Sequence, residues 1–284
     1  MPNNKHVKLG EKNSLTILRN TSVGMYLGDS DGNDVLLPQK YLTDAMQVGR
    51  KVEVFLYKDS EDRIVATTEE PYLKLHEFAY LGVKSVGKMG AFMDWGLEKD
   101  LLVPFKEQPN RLKEGDWATV FLLKDERTDR LIGSCKVNKF LEEQVIDLEL
   151  NQEVTVLLYE RTDLGYNVII NNRYRGLIYH NEIFQKVYIG MQTTGFVKKL
   201  RDDSRIDISL TKPGQPFEDS IEPNSARILA LLDEEGGFLP LSDSTDPNTI
   251  YNWLGMSKKT FKKTIGNLYR ERKIRIADEG IYKS

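Results

Sequence analysis

Between residues 173 and 205 the chain interleaves cations with aromatic rings: Arg173, Tyr174, Arg175, Tyr179, His180, Lys198, Lys199, Arg201 and Arg205. Aromatic faces stack bases while guanidinium and ammonium groups track phosphates, so this pattern suits single-stranded nucleic acid. A second cationic group, Lys258, Lys259, Lys262 and Lys263, falls on a stretch of helical period, with Arg275 in a later hairpin. Lysines hold phosphate as point charges but read bases poorly, and a merely solvated helix face carries the same signature with equal weight. Other chemistries are not encoded. His6, His76 and His180 are scattered, the single Cys135 cannot build a zinc site, and no phosphate loop or nucleophile elbow occurs. The run from Asp29 to Asp34 superficially resembles a calcium loop. Its glycine is misplaced, however, and its twelfth position is Lys40 rather than a bidentate Glu, so it reads as a hairpin turn. No catalytic constellation, metal or cofactor is expected.

The elements that must position these side chains follow from a threefold repeat. Gly24, Gly90 and Gly165 open a strand pattern, and Leu36-Leu37-Pro38, Leu102-Val103-Pro104 and Leu177-Ile178-Tyr179 follow. Then come Gly49, Gly115 and Gly190, and finally Arg63, Arg130 and Arg205 before a last strand. The first two copies stand 66 residues apart (90 − 24) and the last two 75 (165 − 90). Such self-similarity marks one structural unit used repeatedly. Each unit reads as five short strands, and five antiparallel strands in so short a segment bury a core only by closing into a small barrel. After residues 212–216 the period changes from strand to helix, which marks a linker. Asn224 or Ser225 is the expected cap of a helix ended by Gly236-Gly237. Asp246-Pro247 starts a second helix, Ser257 caps a third running to Arg272, and residues 274–282 form a hairpin. That order is a winged helix. The expected fold is mostly β with a C-terminal α+β part: OB barrels over 1–70, 71–142 and 143–216, then a winged helix over 217–284.

Hydrophobic content of 40% and charged content of 29% suit a folded soluble chain, and no window approaches the roughly 18 apolar residues of a membrane span. The polar first six residues and the lone cysteine suggest a cytoplasmic protein, with Cys135 a buried strand thiol. Net charge is −3, which argues against indiscriminate polyanion binding. Residues 151–212 nevertheless carry nine Lys and Arg against seven Asp and Glu, whereas 70–150 carry twelve against fifteen. The C-terminal half is therefore the better phosphate-facing surface.

The runs from Gly90 to Gly96, Leu102-Val103-Pro104, Glu114-Gly115-Asp116 and from Asp129 to Ser134 resemble the RNA-binding domain of the largest small-subunit ribosomal protein, the S-one domain. In that family two aromatics flank the glycine, a His or aromatic follows the third strand, and an Asp and an Arg stand around the last turn. Carried over, the first aromatic position holds Val23, Met89 and Leu164, so every copy has lost it, and Met89 reads as packing. The second holds Tyr26, Phe92 and Asn167, all expected on the outer sheet face with Met25, Ala91 and Tyr166 inward. Tyr26 and Phe92 either stack a base or pack on a neighbouring barrel. The third position holds Pro38, Pro104 and Tyr179, the last followed by His180. Asp59 and Asp125 match the acidic site, where Arg201 stands in the third copy. Arg63, Arg130 and Arg205 match the basic site, although Arg63 and Arg130, each beside an Asp, read more simply as surface ion pairs.

Three such barrels before a winged helix resemble the bacterial conserved virulence factor B family. The resemblance implies a non-enzymatic regulator acting after transcription, with single-stranded RNA running over the third barrel and the winged helix with little sequence preference. The RNA contacts expected are Tyr26, Phe92, Arg130, Arg173, Arg175, Tyr179, His180, Lys198, Lys199, Arg201, Arg205, the four helix lysines and Arg275. A DNA-binding transcription regulator and a protein-binding adaptor are the competing readings. A membrane partner is not expected, and a monomer is.

Overall fold

The computed structural model describes residues 7–28, 34–183, 185–201, 205–212 and 221–284, with side chains from residue 224 onward in the last segment. Residues 29–33 of the expected hairpin turn and 213–216 of the expected linker lie outside the described residues. The first barrel comprises β1 (Lys12–Thr21), β2 (Gly24–Gly28), β3 (Asp34–Pro38), β4 (Lys51–Lys58) and β5 (Ile64–Thr67). The second comprises β6 (Phe78–Val86), β7 (Gly90–Met93), β8 (Leu101–Pro104), β9 (Trp117–Lys124) and β10 (Leu131–Ser134). The third comprises β11 (Glu153–Arg161), β12 (Gly165–Ile170), β13 (Tyr174–Tyr179), β14 (Gln192–Leu200) and β15 (Ile206–Ser209).

The first and third barrels close in the order β1-β2-β3-β5-β4 and its equivalent, sealed by short parallel pairs such as Leu36 with Val65 and Gly176 with Ile206. The second is a five-stranded sheet, β10-β9-β6-β7-β8, without that last ladder. Its ends still meet through side chains: a Cβ at Gly133 on β10 would stand 2.8 Å from Val103 Cγ2 and 3.3 Å from Leu101 Cδ2 on β8. Inward positions supply the cores, for example Ile17, Leu27, Leu37 and Leu56 in the first barrel and Val156, Val168, Ile178 and Ile208 in the third. The long first strand of each barrel carries a bulge at one repeated place, between Ile17 and Arg19, Val83 and Ser85, and Leu158 and Glu160. A bulge bends and twists its strand, which lets one strand serve both ends of a small barrel.

The repeated glycine after the bulge is a steric requirement. A Cβ would lie 2.2 Å from the Leu37 carbonyl oxygen at Gly24, 2.1 Å from that of Val103 at Gly90, and 1.9 Å from that of Ile178 at Gly165. Neighbouring barrels also share cores. Phe55, Tyr57 and Val65 of the first pack with Leu73, Trp95 and Leu97 of the second, and Phe78 and Phe121 of the second pack with Leu157 and Ile169 of the third.

The C-terminal part contains α1 (Ile221–Glu234), β16 (Phe238–Leu239), α2 (Pro247–Leu254), α3 (Lys258–Arg270), β17 (Ile274–Ala277) and β18 (Gly280–Lys283). Asp246 caps α2 by accepting from the Asn248 and Thr249 amides, and Ser257 caps α3 by accepting from Thr260 N at 3.1 Å. Phe261, Ile265 and Leu268 bury one face of α3 against Ile228, Leu232 and Ile281. Three expectations change. First, α1 already includes Ile221, so Asn224 and Ser225 are helical and buried rather than caps. Second, α3 ends at Arg270, because Arg272 takes a left-handed φ of 57°. Third, β16 pairs with β18, so the wing hairpin belongs to a three-stranded sheet. No helix among the described residues is long and apolar enough to cross a membrane.

Candidate nucleic-acid interface

In the second barrel a cleft of about 230 Å³ opens beside Met89, Phe92, Leu102 and Arg130. In the third a cleft of about 280 Å³ opens beside Leu164, Asn167, Leu177 and Arg205. Each of these four pairs is separated by the 75-residue repeat interval, so the two clefts are one site built twice. Strand alternation explains the grouping. On β13, Tyr174, Gly176 and Ile178 face the core while Arg175, Leu177 and Tyr179 face out, and Asn167 stands opposite Leu177 on β12.

The residue before each repeated glycine is exposed in all three barrels: Val23 by 56%, Met89 by 69% and Leu164 by 64%. Met89 is therefore no packing residue, contrary to the sequence reading. It overhangs the cleft where the resembled family has an aromatic, and its signal in the sequence was an apolar residue at that place in every copy. Met25 and Ala91 are buried and Tyr166 packs against the third core, as expected for inward positions. Asn167 occupies the outer face yet is only 8% exposed, because its amide donates to Glu160 Oε2 at 2.7 Å. Tyr26 and Phe92 are half-buried. The Arg19 guanidinium lies 4.0 Å from the Tyr26 ring centre and pairs with Asp34 at 2.6 Å, so one face of that ring is taken. Phe92 shares its cleft with Tyr57 and Lys58 of the first barrel.

The arginines divide by partner. Arg63 binds Asp59 through Nε (2.9 Å) and Nη2 (2.7 Å) and meets Glu61 at 2.9 Å. Burial pushes the Asp59 carboxyl up, but hydrogen bonds from Arg63 and from backbone amides outweigh it and hold it below its usual range. Arg130 pairs with Asp62 of the first barrel rather than with its neighbour Asp129, and this bond depresses the Asp62 carboxyl. Asp129 instead joins Lys124 at 2.5 Å and Lys58 at 3.7 Å. The ion-pair reading thus describes both arginines.

The third-barrel group does not form one cluster. Arg173 turns away to Glu142 (2.5 Å) and Asp147 (2.6 Å), over Tyr174, which is 1% exposed and part of the core. Arg175 and Arg205 line the cleft, and both are exposed. Arg175 makes no ion pair among the described residues. Arg201 donates to the Tyr179 hydroxyl and faces Asp207 at 3.0 Å. Lys198 pairs with Glu182, while Lys199 follows the bulge in β14 and stands exposed opposite Asp207. His180 donates from Nε2 to the carbonyl of Thr162, a residue lining the cleft, at 2.9 Å and meets the Tyr166 ring edge-on at 5.6 Å.

On α3, Lys259, Lys262 and Lys263 are exposed and Lys258 is half-buried. Lys262 meets Asp243 at 3.0 Å, and the Arg275 guanidinium lies 4.4 Å from the Tyr282 ring centre. Cys135 follows β10 by one residue, and burial, with the Glu107 charge nearby, pushes its thiol up to about 12. A thiol raised in this way favours its protonated form at neutral pH.

The fold defines a protein of tandem OB barrels ending in a winged helix. Residues 9–69 match the S1 domain and residues 226–282 the CvfB-like winged helix domain, and these matches support nucleic-acid binding. The chain is a homologue of the conserved virulence factor B proteins. It is 25% identical to conserved virulence factor B of Staphylococcus aureus, with 87% of this chain and 84% of that protein covered. It is 28% identical to the protein YitL of Bacillus subtilis, with 93% and 90% covered. A solved multidomain protein with nucleic acid binding domains from Streptococcus pneumoniae is 24% identical, covering 97% of this chain and 98% of that one at a TM-score of 0.45.

Proposed function

We propose that this protein is a non-enzymatic RNA-binding regulator that acts after transcription, in the cytoplasm, on single-stranded RNA. The strand lies across the outer face of the third barrel and the lysine face of α3, with little sequence preference. The observation that carries this reading is the third-barrel cleft, where the exposed Leu164 and the two arginines Arg175 and Arg205 surround Leu177 and Asn167. A floor of Leu177 and Asn167 between two arginines, with the single carboxylate of Asp163 at the edge, suits a base with its phosphate. The second-barrel copy of the cleft favours RNA less, since Tyr57 and Lys58 of the first barrel share it and it has no arginine counterpart of Arg175 in its lining. Arg175, Arg205, Lys199 and the α3 lysines are the proposed phosphate contacts, and Tyr179 and His180 border the path.

The test is a gel-shift series with single-stranded RNA, single-stranded DNA and duplex DNA at two salt concentrations, using the full chain. Single-stranded RNA is expected to bind most tightly and to weaken steeply with salt. Replacing Arg175 and Arg205 together by Ala should weaken RNA binding at least tenfold, at roughly 1 kcal/mol or more per lost charged contact. Replacing Lys258, Lys259, Lys262 and Lys263 by Ala should reduce RNA binding in part. If the same change abolished tight duplex-DNA binding, the winged helix would be a DNA reader. If no nucleic acid bound at moderate salt, the barrels would be protein adaptors.

A further inference from the structure

A second aromatic surface lies off the clefts already described, on the side of the second barrel. Trp117, the first residue of β9, is 61% exposed, and Tyr72 is 64% exposed. The Trp117 ring stacks on Tyr80, with centroids 5.5 Å apart and planes 29° apart. On its partner strand β6, Trp117 stands opposite Gly82, where a Cβ would come within 3.2 Å of the indole. The indole therefore lies flat over bare backbone. Tyr80 in turn sits against Gly190 of the third barrel, where a Cβ would lie 2.0 Å from the ring.

The repeat shows that none of this is needed to build a barrel. The positions equivalent to Trp117 are Lys51 and Gln192, those equivalent to Tyr80 are Ser14 and Thr155, and those equivalent to Gly82 are Thr16 and Leu157. Both other copies are polar where the second is aromatic and carry a side chain where the second has none. Trp117 and Tyr80 divide a groove with two ends. One end, about 390 Å³, is bordered by Tyr72, and the other, about 590 Å³, by Tyr159, Lys136 and Lys139. Lys136 and Lys139 are exposed and make no ion pair among the described residues. Glu160 closes the far end and holds Asn167 of the third-barrel cleft, so the groove adjoins that cleft through a single hydrogen-bonded pair.

We infer that this groove is a second stacking site for single-stranded RNA, continuing the strand beyond the third-barrel cleft along Lys136 and Lys139 to the rings of Trp117 and Tyr72. The inference rests on the RNA-binding reading above. Exposed rings flanked by ammonium groups that make no ion pair among the described residues, Lys139 resting over the Phe140 ring, match a base with its phosphate, and a stacked base is sequence-tolerant because every base has a π-face. The site would be reached only by strands long enough to leave the third barrel.

The test measures equilibrium binding of the full chain to labelled mixed-sequence RNA of about 8 and about 24 nucleotides, against site sizes of roughly 4–16 nucleotides per OB fold. Trp117→Gln, which installs the third barrel's residue, should lower affinity for the long strand about tenfold, leave the short strand unchanged and leave the salt slope unchanged. Tyr72→Ala should act in the same direction, and ultraviolet crosslinking of the wild-type complex should map to Trp117 or Tyr72. If both variants bind the long strand like wild type while the Arg175 and Arg205 double variant weakens both strands, the groove does not bind RNA and the third-barrel reading stands. A protein partner would then be its occupant. Equal weakening of both lengths by Trp117→Gln would also overturn the inference. If the double variant binds both lengths normally, the underlying reading fails and the inference with it.

Discussion

The glycine that opens the second strand of each barrel is there because the next strand's carbonyl occupies the space of a side chain. At Gly165 a Cβ would lie 1.9 Å from the Ile178 oxygen. Gly165→Ala is therefore expected to destabilise the third barrel by about 2 kcal/mol or more, seen as a lower urea midpoint. A midpoint equal to wild type would mean that β12 and β13 separate at no cost. The same two strands explain why the basic and aromatic run read from sequence does not act as one patch. Neighbouring residues on a strand face opposite ways, so Tyr174 enters the core while Arg175 meets solvent, and Arg173 is drawn to Glu142 and Asp147. Acidic residues some thirty positions upstream are invisible to a local pattern. Met89 was misjudged for the complementary reason: whether an apolar side chain is covered depends on what other strands bring over it.

The winged-helix elements were legible where a side chain itself caps a backbone. Ser257 and Asp246 cap α3 and α2 as read, because a short polar side chain accepting from the first amides is a local event. Ser257→Ala should cost about 1 kcal/mol in a urea melt of the C-terminal part, and no change would mean that α3 is held by packing alone. The start of α1 was misplaced by the same rule, since Asn224, 4% exposed, is buried within the helix. The strand β16 has two residues and so offers no period to read; its pairing of Leu239 with Ile281 is a tertiary contact. In the barrels the repeat revealed the strands, but not that the second sheet lacks the closing ladder present in the other two.

The barrels are joined by ion pairs as well as by shared cores. Arg130 with Asp62 and Lys58 with Asp129 link the first to the second, and Lys99 donates to the Lys58 and Asp59 carbonyls at 3.1 and 2.6 Å. Asp62, through Arg130, and Asp129, through Lys124 and Lys58, have carboxyls held below their usual range. A carboxyl depressed in the folded state stabilises it fully above the unfolded value and loses that contribution as pH falls through the folded value. Thermal midpoints followed by circular dichroism should therefore be flat from neutral pH down to about 4 and fall below it. Asp62→Asn should lower the neutral midpoint slightly and reduce the acid dependence. An unchanged acid profile would remove the Arg130 pair from the junction. The sequence by itself determined the number, order and kind of domains, because repeated glycines, strand periods and helix caps are local requirements of the backbone. Only the tertiary structure decided which charged side chains are paired and with which partners. That depends on partners remote in the chain, such as Asp62 reaching Arg130 across 68 residues, and on side chains of a neighbouring barrel, such as Tyr57 and Lys58 beside Phe92.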